Sequence, residues 1–73
     1  MDRSLWQQHL ELAESHIESG KRNLDTQRQI LEELRKDGHA TAMAERILKT
    51  YEDLLKLHID DRDRIKRDLQ RGI

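Results

Sequence analysis

The chain has 73 residues, a formal net charge of −1 and no cysteine or proline, with 40% of its residues charged. This length allows one small domain, and the lack of cysteine excludes disulfides, thiol catalysis and thiolate metal sites. Acidic residues alternate with the basic ones, so the chain lacks the basic field typical of nucleic-acid-binding proteins. No apolar run approaches the length of about 18 residues that a membrane span requires.

The first predicted helix runs from about residue 4 to 36. Ser4 and Gln7 have the spacing of a capping box, and Arg35 and Lys36 favour the negative helix end. Apolar or small residues recur along it with alternating gaps of three and four, which is typical of a helix that buries one narrow stripe. The seam positions are Leu10, Ala13, Ile17, Gly20, Leu24, Gln27, Leu31 and Leu34.

A turn over residues 37–40 separates this helix from a second one. Gly38 suits the left-handed conformation that closes a helix, and Thr41 suits the N-cap of the next. The second predicted helix runs from about residue 41 to 70 and repeats the same spacing. Its seam positions are Ala44, Leu48, Tyr51, Leu55, His58, Arg62, Ile65 and Leu69.

The two seams predict an all-α fold, in which two long helices form an antiparallel, coiled-coil-like hairpin. Folding at Gly38 pairs residues whose numbers add to about 78. This register places Gly20 opposite His58, Ala13 opposite Ile65 and Gln27 opposite Tyr51. Pairs of acid and base at i and i+4 support both helices, each by about 0.2–0.5 kcal/mol. They are Glu18–Arg22, Glu32–Lys36, Glu45–Lys49, Glu52–Lys56, Asp60–Arg64 and Asp63–Arg67.

A second apolar stripe lies beside the seam on both helices and predicts an oligomer interface. A helix with two apolar edges usually contacts two neighbours, so we expect two hairpins to pair as a four-helix bundle. The alternative is that these side chains cover the rim of a monomer. The stripe consists of Leu5, Leu12, Ile30, Met43, Ile47, Leu54 and Leu57.

Several seam positions are polar and form a predicted polar layer. Polar residues in such a seam often fix register and partner number. We expect His16 and His58 to approach each other, as a hydrogen-bonded layer or, alternatively, as a zinc or pH switch. Arg62 needs an acceptor, from Glu14 or Glu18 across the hairpin or from a partner, unless its head extends to water. The layer comprises His16, Gly20, Gln27, Tyr51, His58 and Arg62.

No motif indicates catalysis, a cofactor or a metal site with a complete ligand set, so we predict that the protein is not an enzyme. The chain has no glycine-rich phosphate loop and no paired serine and histidine, and two helices offer no deep pocket. Trp6 is expected to cover the open end of the hairpin against Leu69 and Ile73. The residues at the N-terminus lack the apolar region of a signal peptide, which predicts a cytoplasmic protein.

The motifs His16-Ile17-x-x-Gly20, Gln27-Arg28, Gly38-His39-x-Thr41-x-x-Ala44 and Asp61-Arg62, together with Leu34 and His58, resemble those of a known group of sequences. That group consists of short, uncharacterised helical-hairpin proteins of alphaproteobacteria, and the similarity covers about residues 10–69. The resemblance implies a bacterial, cytoplasmic protein and carries no assigned activity or catalytic residue.

Taken as a whole, the sequence predicts a self-associating helical interaction or regulatory module that acts by protein–protein contact. The sequence favours a homodimer. It leaves open whether another protein also binds the hairpin. Two alternatives stay open at this point. One is a nucleic-acid-binding adaptor of the hairpin-dimer type, and the other is a small ligand- or metal-responsive sensor that uses the seam histidines.

Overall fold

The computed structural model describes residues 3–72 and consists of two helices. Helix α1 spans Arg3–Lys36 and helix α2 spans Ala42–Gln70. They pack antiparallel along their length to give a rod with extents of 55 × 14 × 13 Å. The all-α helical hairpin that the two seams predict is therefore confirmed.

The seam positions are the ones that the hairpin buries. Every predicted seam residue is buried or half-buried, because the alternating gaps of three and four keep these positions on the facing sides of the helices. The core is thin, and no side chain in it is completely inaccessible. The residues less than a tenth exposed are Ala13, Ile17, Leu24, Leu31, Ala44, Ile65 and Leu69.

The turn is closed by a Schellman motif centred on Gly38. Gly38 has φ +72°, its amide donates to the Arg35 carbonyl, and the His39 amide donates to the Leu34 carbonyl. These two bonds satisfy carbonyls that the helix end leaves open. Thr41 is the N-cap of α2 as predicted, but its hydroxyl donates to the Glu45 carboxylate at 3.4 Å and not to a backbone amide.

The open end of the hairpin is covered by aromatic and basic side chains from the start of α1. Trp6 and Leu10 pack against a cluster of Ala13, Ile65 and Leu69. Trp6 therefore packs against the cluster that contains Leu69, as expected. The other expected partner, Ile73, lies outside the described residues. Arg3 donates from Nη1 to the Leu69 carbonyl at 3.4 Å, which places a cation at the negative end of α2.

The described part of helix α1 begins at Arg3, one residue before the predicted start near Ser4. The predicted ion pairs were wrong. The predicted i, i+4 ion pairs do not form, because exposed side chains choose among several partners of similar energy. Residues 3–72 instead contain Asp25–Arg28, Arg35–Glu45, Lys49–Asp53, Asp61–Arg64 and Arg62–Asp63.

Candidate interaction face and histidine pair

The two long faces of the hairpin differ in charge. On one side of the α1 seam the positions from Leu5 to Ile30 are uncharged when histidine is neutral, and the next position is Glu33. The matching positions on α2 are uncharged from Met43 to Leu57. In an antiparallel pair these two flanks lie on the same side of the seam, so they form one continuous surface, which we call the uncharged face. It consists of Leu5, His9, Leu12, His16, Ser19, Asn23, Thr26, Ile30, Met43, Ile47, Thr50, Leu54 and Leu57.

The opposite side of the seam carries most of the charge. There Arg35 Nη2 on α1 reaches Glu45 Oε1 on α2 at 3.2 Å, which confirms that the two charged flanks are neighbours. Nearer the open end, Arg62 borders a depression that is otherwise lined largely by charged residues of α1, among them Glu14 and Lys21. We call this surface the charged face.

Large apolar side chains are exposed on the uncharged face. The exposed large hydrophobics of the described chain are the same seven residues that the second stripe predicted, from Leu5 to Leu57. Met43 and Leu57 are the most open, with 65% and 63% of their surface accessible. An exposed contiguous apolar surface marks an interaction site more often than single exposed leucines do.

Threonines on the uncharged face direct their hydroxyl groups into their own helix. Thr26 Oγ1 donates to the Arg22 carbonyl, and Thr50 Oγ1 donates to the Arg46 carbonyl, both at 3.1 Å. These bonds satisfy the hydroxyl donors within the helix. The face is therefore less polar than its composition alone indicates.

An open groove of about 280 Å³ lies in the middle of the uncharged face. Gly20 forms its floor, since a Cβ atom added there would lie 3.2 Å from Cδ1 of Leu55. The predicted position of Gly20 opposite His58 was therefore wrong by one helical turn, and Leu55 is the residue that approaches it. The groove is lined by His16, Ser19, Gly20, Asn23, Tyr51, Leu54, Leu55 and His58.

His16 and His58 meet at one end of this groove, as the sequence predicts. Their ring centroids are 5.2 Å apart, with the ring planes inclined by 53°. His16 is exposed and His58 is half-buried. Within residues 3–72, no three histidine, aspartate or glutamate side chains converge as a complete metal-binding group.

The structure divides the predicted polar layer. His16, Gly20, Tyr51 and His58 share the groove, whereas Gln27 does not line it. No hydrogen bond joins Gln27 to Tyr51 among the described residues.

The predicted acceptors of Arg62 across the hairpin were wrong, whereas the alternative acceptor, Asp61 of a partner, stays a prediction. Its Nε donates to Oδ1 of Asp63, its neighbour in the chain, at 3.0 Å and not to Glu14 or Glu18. The guanidinium thus stays at the edge of the seam, where a carboxylate on its own helix reaches it more easily than one across the hairpin.

Sequence reasoning missed Ser19 and Asn23 as groove residues. Both are uncharged and both continue the spacing of the stripe between Leu12 and Ile30, which is the signal that identifies them. They were overlooked because the stripe was defined by large apolar side chains only.

Comparison with known proteins gives no relative on which to base a function: no protein family model, no curated protein and no solved structure matches the chain. The resemblance to alphaproteobacterial hairpin proteins stays a prediction. Neither helix, within the described part of the chain, is long and apolar enough to cross a membrane.

Proposed function

We propose that the chain is a self-associating interaction module in which a second copy covers the uncharged face. The two hairpins would form a dimeric four-helix bundle that acts through protein–protein contact and performs no catalytic step. One observation supports this most strongly. All seven exposed large apolar side chains of the described residues lie beside the seam on the uncharged face. A protein that works alone gains nothing from leaving them open to water.

The amount of exposed surface supports the same proposal. A compact monomer of 8.7 kDa exposes about 4,700 Å² by the usual scaling with mass. The hairpin exposes 5686 Å². The excess is close to the area of about 800 Å² per partner that a standard protein interface buries. A face 55 Å long and 14 Å wide has room for an interface of that size.

The charge pattern favours a second copy as the occupant. Two-fold symmetry places the same surface on both sides of the interface, so any net charge on it would face itself. The uncharged face carries no such charge over most of its length. Charged positions on these flanks lie only near the two ends. They are Glu33 near the turn, and Asp61, Arg64 and Asp68 towards the open end, where Asp61 and Arg64 are paired within one chain at 2.6 Å. The charged faces and the ends of the bundle would remain free for other proteins.

A substitution within the uncharged face tests this proposal. Leu57→Glu places a carboxylate at an exposed position, so the isolated hairpin should keep its helicity. In the dimer the charge would be buried at the interface twice, once from each copy, and we expect the dissociation constant to rise at least about tenfold. Sedimentation equilibrium measures the constant, and circular dichroism measures the helicity.

Gln29→Glu is the matched control. It makes the same change in charge at an exposed position that lies on the outer side of α1, away from both the seam and the uncharged face. We expect it to leave the dissociation constant unchanged within about twofold. Equal dissociation constants for the two variants would contradict the proposed interface.

The cytoplasmic location and the bacterial origin that the sequence predicts stay predictions. The proposal does not depend on either of them.

A further inference from the structure

The His16–His58 pair is the one place in the described chain where two imidazoles from different helices meet. The surrounding groove contains no carboxylate and no cation, and its other polar residues are Ser19, Asn23 and Tyr51. Neither imidazole is hydrogen-bonded to another described residue. The ring nitrogens are therefore not engaged by an acceptor or donor of the protein.

The separation of the two rings matches that of two ligands on one metal ion. Zinc binds histidine nitrogen at about 2.0–2.1 Å with tetrahedral angles, which places the centroids of two bound imidazoles about 5 Å apart. The observed separation of 5.2 Å has this value. Tilted aromatic pairs also lie about 4.5–7 Å apart, so this separation permits a shared ion and does not by itself require one.

We propose that His16 and His58 form an open, two-imidazole binding site for zinc or another late first-row divalent ion. Neutral imidazole is a good ligand for zinc, copper and nickel. Magnesium and calcium prefer oxygen ligands such as carboxylates, and no carboxylate lines this groove. In a hairpin whose uncharged face is not covered, water would complete the coordination on the exposed side of His16. Ser19, Asn23 and Tyr51 offer polar atoms that can hydrogen-bond to such waters.

Metal binding at this pair would link the two helices near the middle of the hairpin. The two histidines are separated by about 40 residues of chain, so the unfolded protein seldom brings them together. The ion therefore binds the folded hairpin in preference to the unfolded chain and stabilises it. Both ligands belong to one chain, so a single hairpin holds the complete site. Since the groove lies on the uncharged face, a second copy that covers this face would also enclose the site.

The four histidines of the chain allow an internally controlled test. In a titration of the protein with zinc chloride, followed by the imidazole proton and nitrogen resonances, we expect the signals of His16 and His58 to shift together. The shifts should saturate at no more than one zinc ion per chain. His9 and His39 should shift much less, since neither meets a second histidine. Equal shifts of all four histidines, or none, would overturn the proposal.

Variants of single histidines give an independent readout. For the wild-type protein and for His9→Gln, saturating zinc chloride should raise the melting temperature by at least about 4 °C. For His16→Gln and His58→Gln the increase should disappear, while circular dichroism shows that both variants still fold without zinc. An increase that persists in His58→Gln would also contradict the two-imidazole site. Sedimentation without zinc reports the dimer separately, so the two proposals can fail independently.

Discussion

The backbone of Gly20 packs against the side chain of Leu55 at the middle of the hairpin. A Cβ atom at position 20 would lie 3.2 Å from Leu55 Cδ1, which is tighter than an ordinary contact. The atom that it meets is the free end of a flexible, half-buried side chain that borders the open groove. Leu55 therefore has room to move by the few tenths of an ångström that a methyl group requires.

Gly20→Ala should stabilise the protein because glycine within a helix costs about 0.8–1 kcal/mol relative to alanine. After the small displacement of Leu55, we expect a net gain of about 0.5 kcal/mol in the free energy of unfolding. Urea denaturation at a fixed protein concentration measures it. A loss of stability in Gly20→Ala would mean that Leu55 is held in place and that the glycine is needed for close packing.

Gly38→Ala should have the opposite effect, although open space surrounds the position. Gly38 has φ +72°, a conformation that costs a residue with a Cβ atom about 1–2 kcal/mol. We expect the free energy of unfolding to fall by about 1 kcal/mol, and Gly38→Asn to lose less because asparagine tolerates this region. Urea denaturation of both variants provides the check. Equal stability of wild type and Gly38→Ala would contradict the Schellman motif.

The Arg35–Glu45 ion pair should contribute little. Both side chains are more than half exposed, at 62% and 51%, so solvent and salt screen the attraction. We expect Glu45→Gln to cost about 0.2–1 kcal/mol at low ionic strength, and less in about 1 M salt. Thermal denaturation at the two salt concentrations measures the difference. An effect that does not change with salt would point to the hydrogen bond from Thr41 instead.

The melting temperature should depend on protein concentration. Among residues 3–72 the core contains seven buried residues, two of them alanines, so the isolated hairpin is expected to be marginal. If a second copy covers the uncharged face, higher concentration stabilises the folded state by mass action. We expect the melting temperature to rise as the concentration is increased from micromolar to millimolar. A constant melting temperature would indicate folding as a monomer.

The fold was accessible from the sequence because helical periodicity is a local property. Every residue that the alternating spacing assigned to the seam is buried or half-buried. Gly38 identified the turn, since few other residues adopt positive φ. The seven stripe residues were also recognised correctly as exposed apolar side chains. None of these predictions required knowledge of which residues touch across the hairpin.

Contacts between the helices were less predictable. A seam residue lies between two residues of the opposite helix that are one turn apart, and spacing alone does not decide which approaches more closely. Gly20 accordingly contacts Leu55 and not His58, while Ala13 and Ile65 belong to one cluster as expected. The partner of Arg62 was missed for a related reason, because a long exposed side chain has several acceptors within reach.

The most direct test of the account is the mass of the wild-type protein by sedimentation equilibrium, over concentrations from low micromolar upward and without added metal. The account predicts a helical dimer, since the exposed apolar side chains of the uncharged face would then be buried between two copies. A helical protein that sediments as a monomer throughout this range would contradict self-association and leave the uncharged face without the occupant assigned to it.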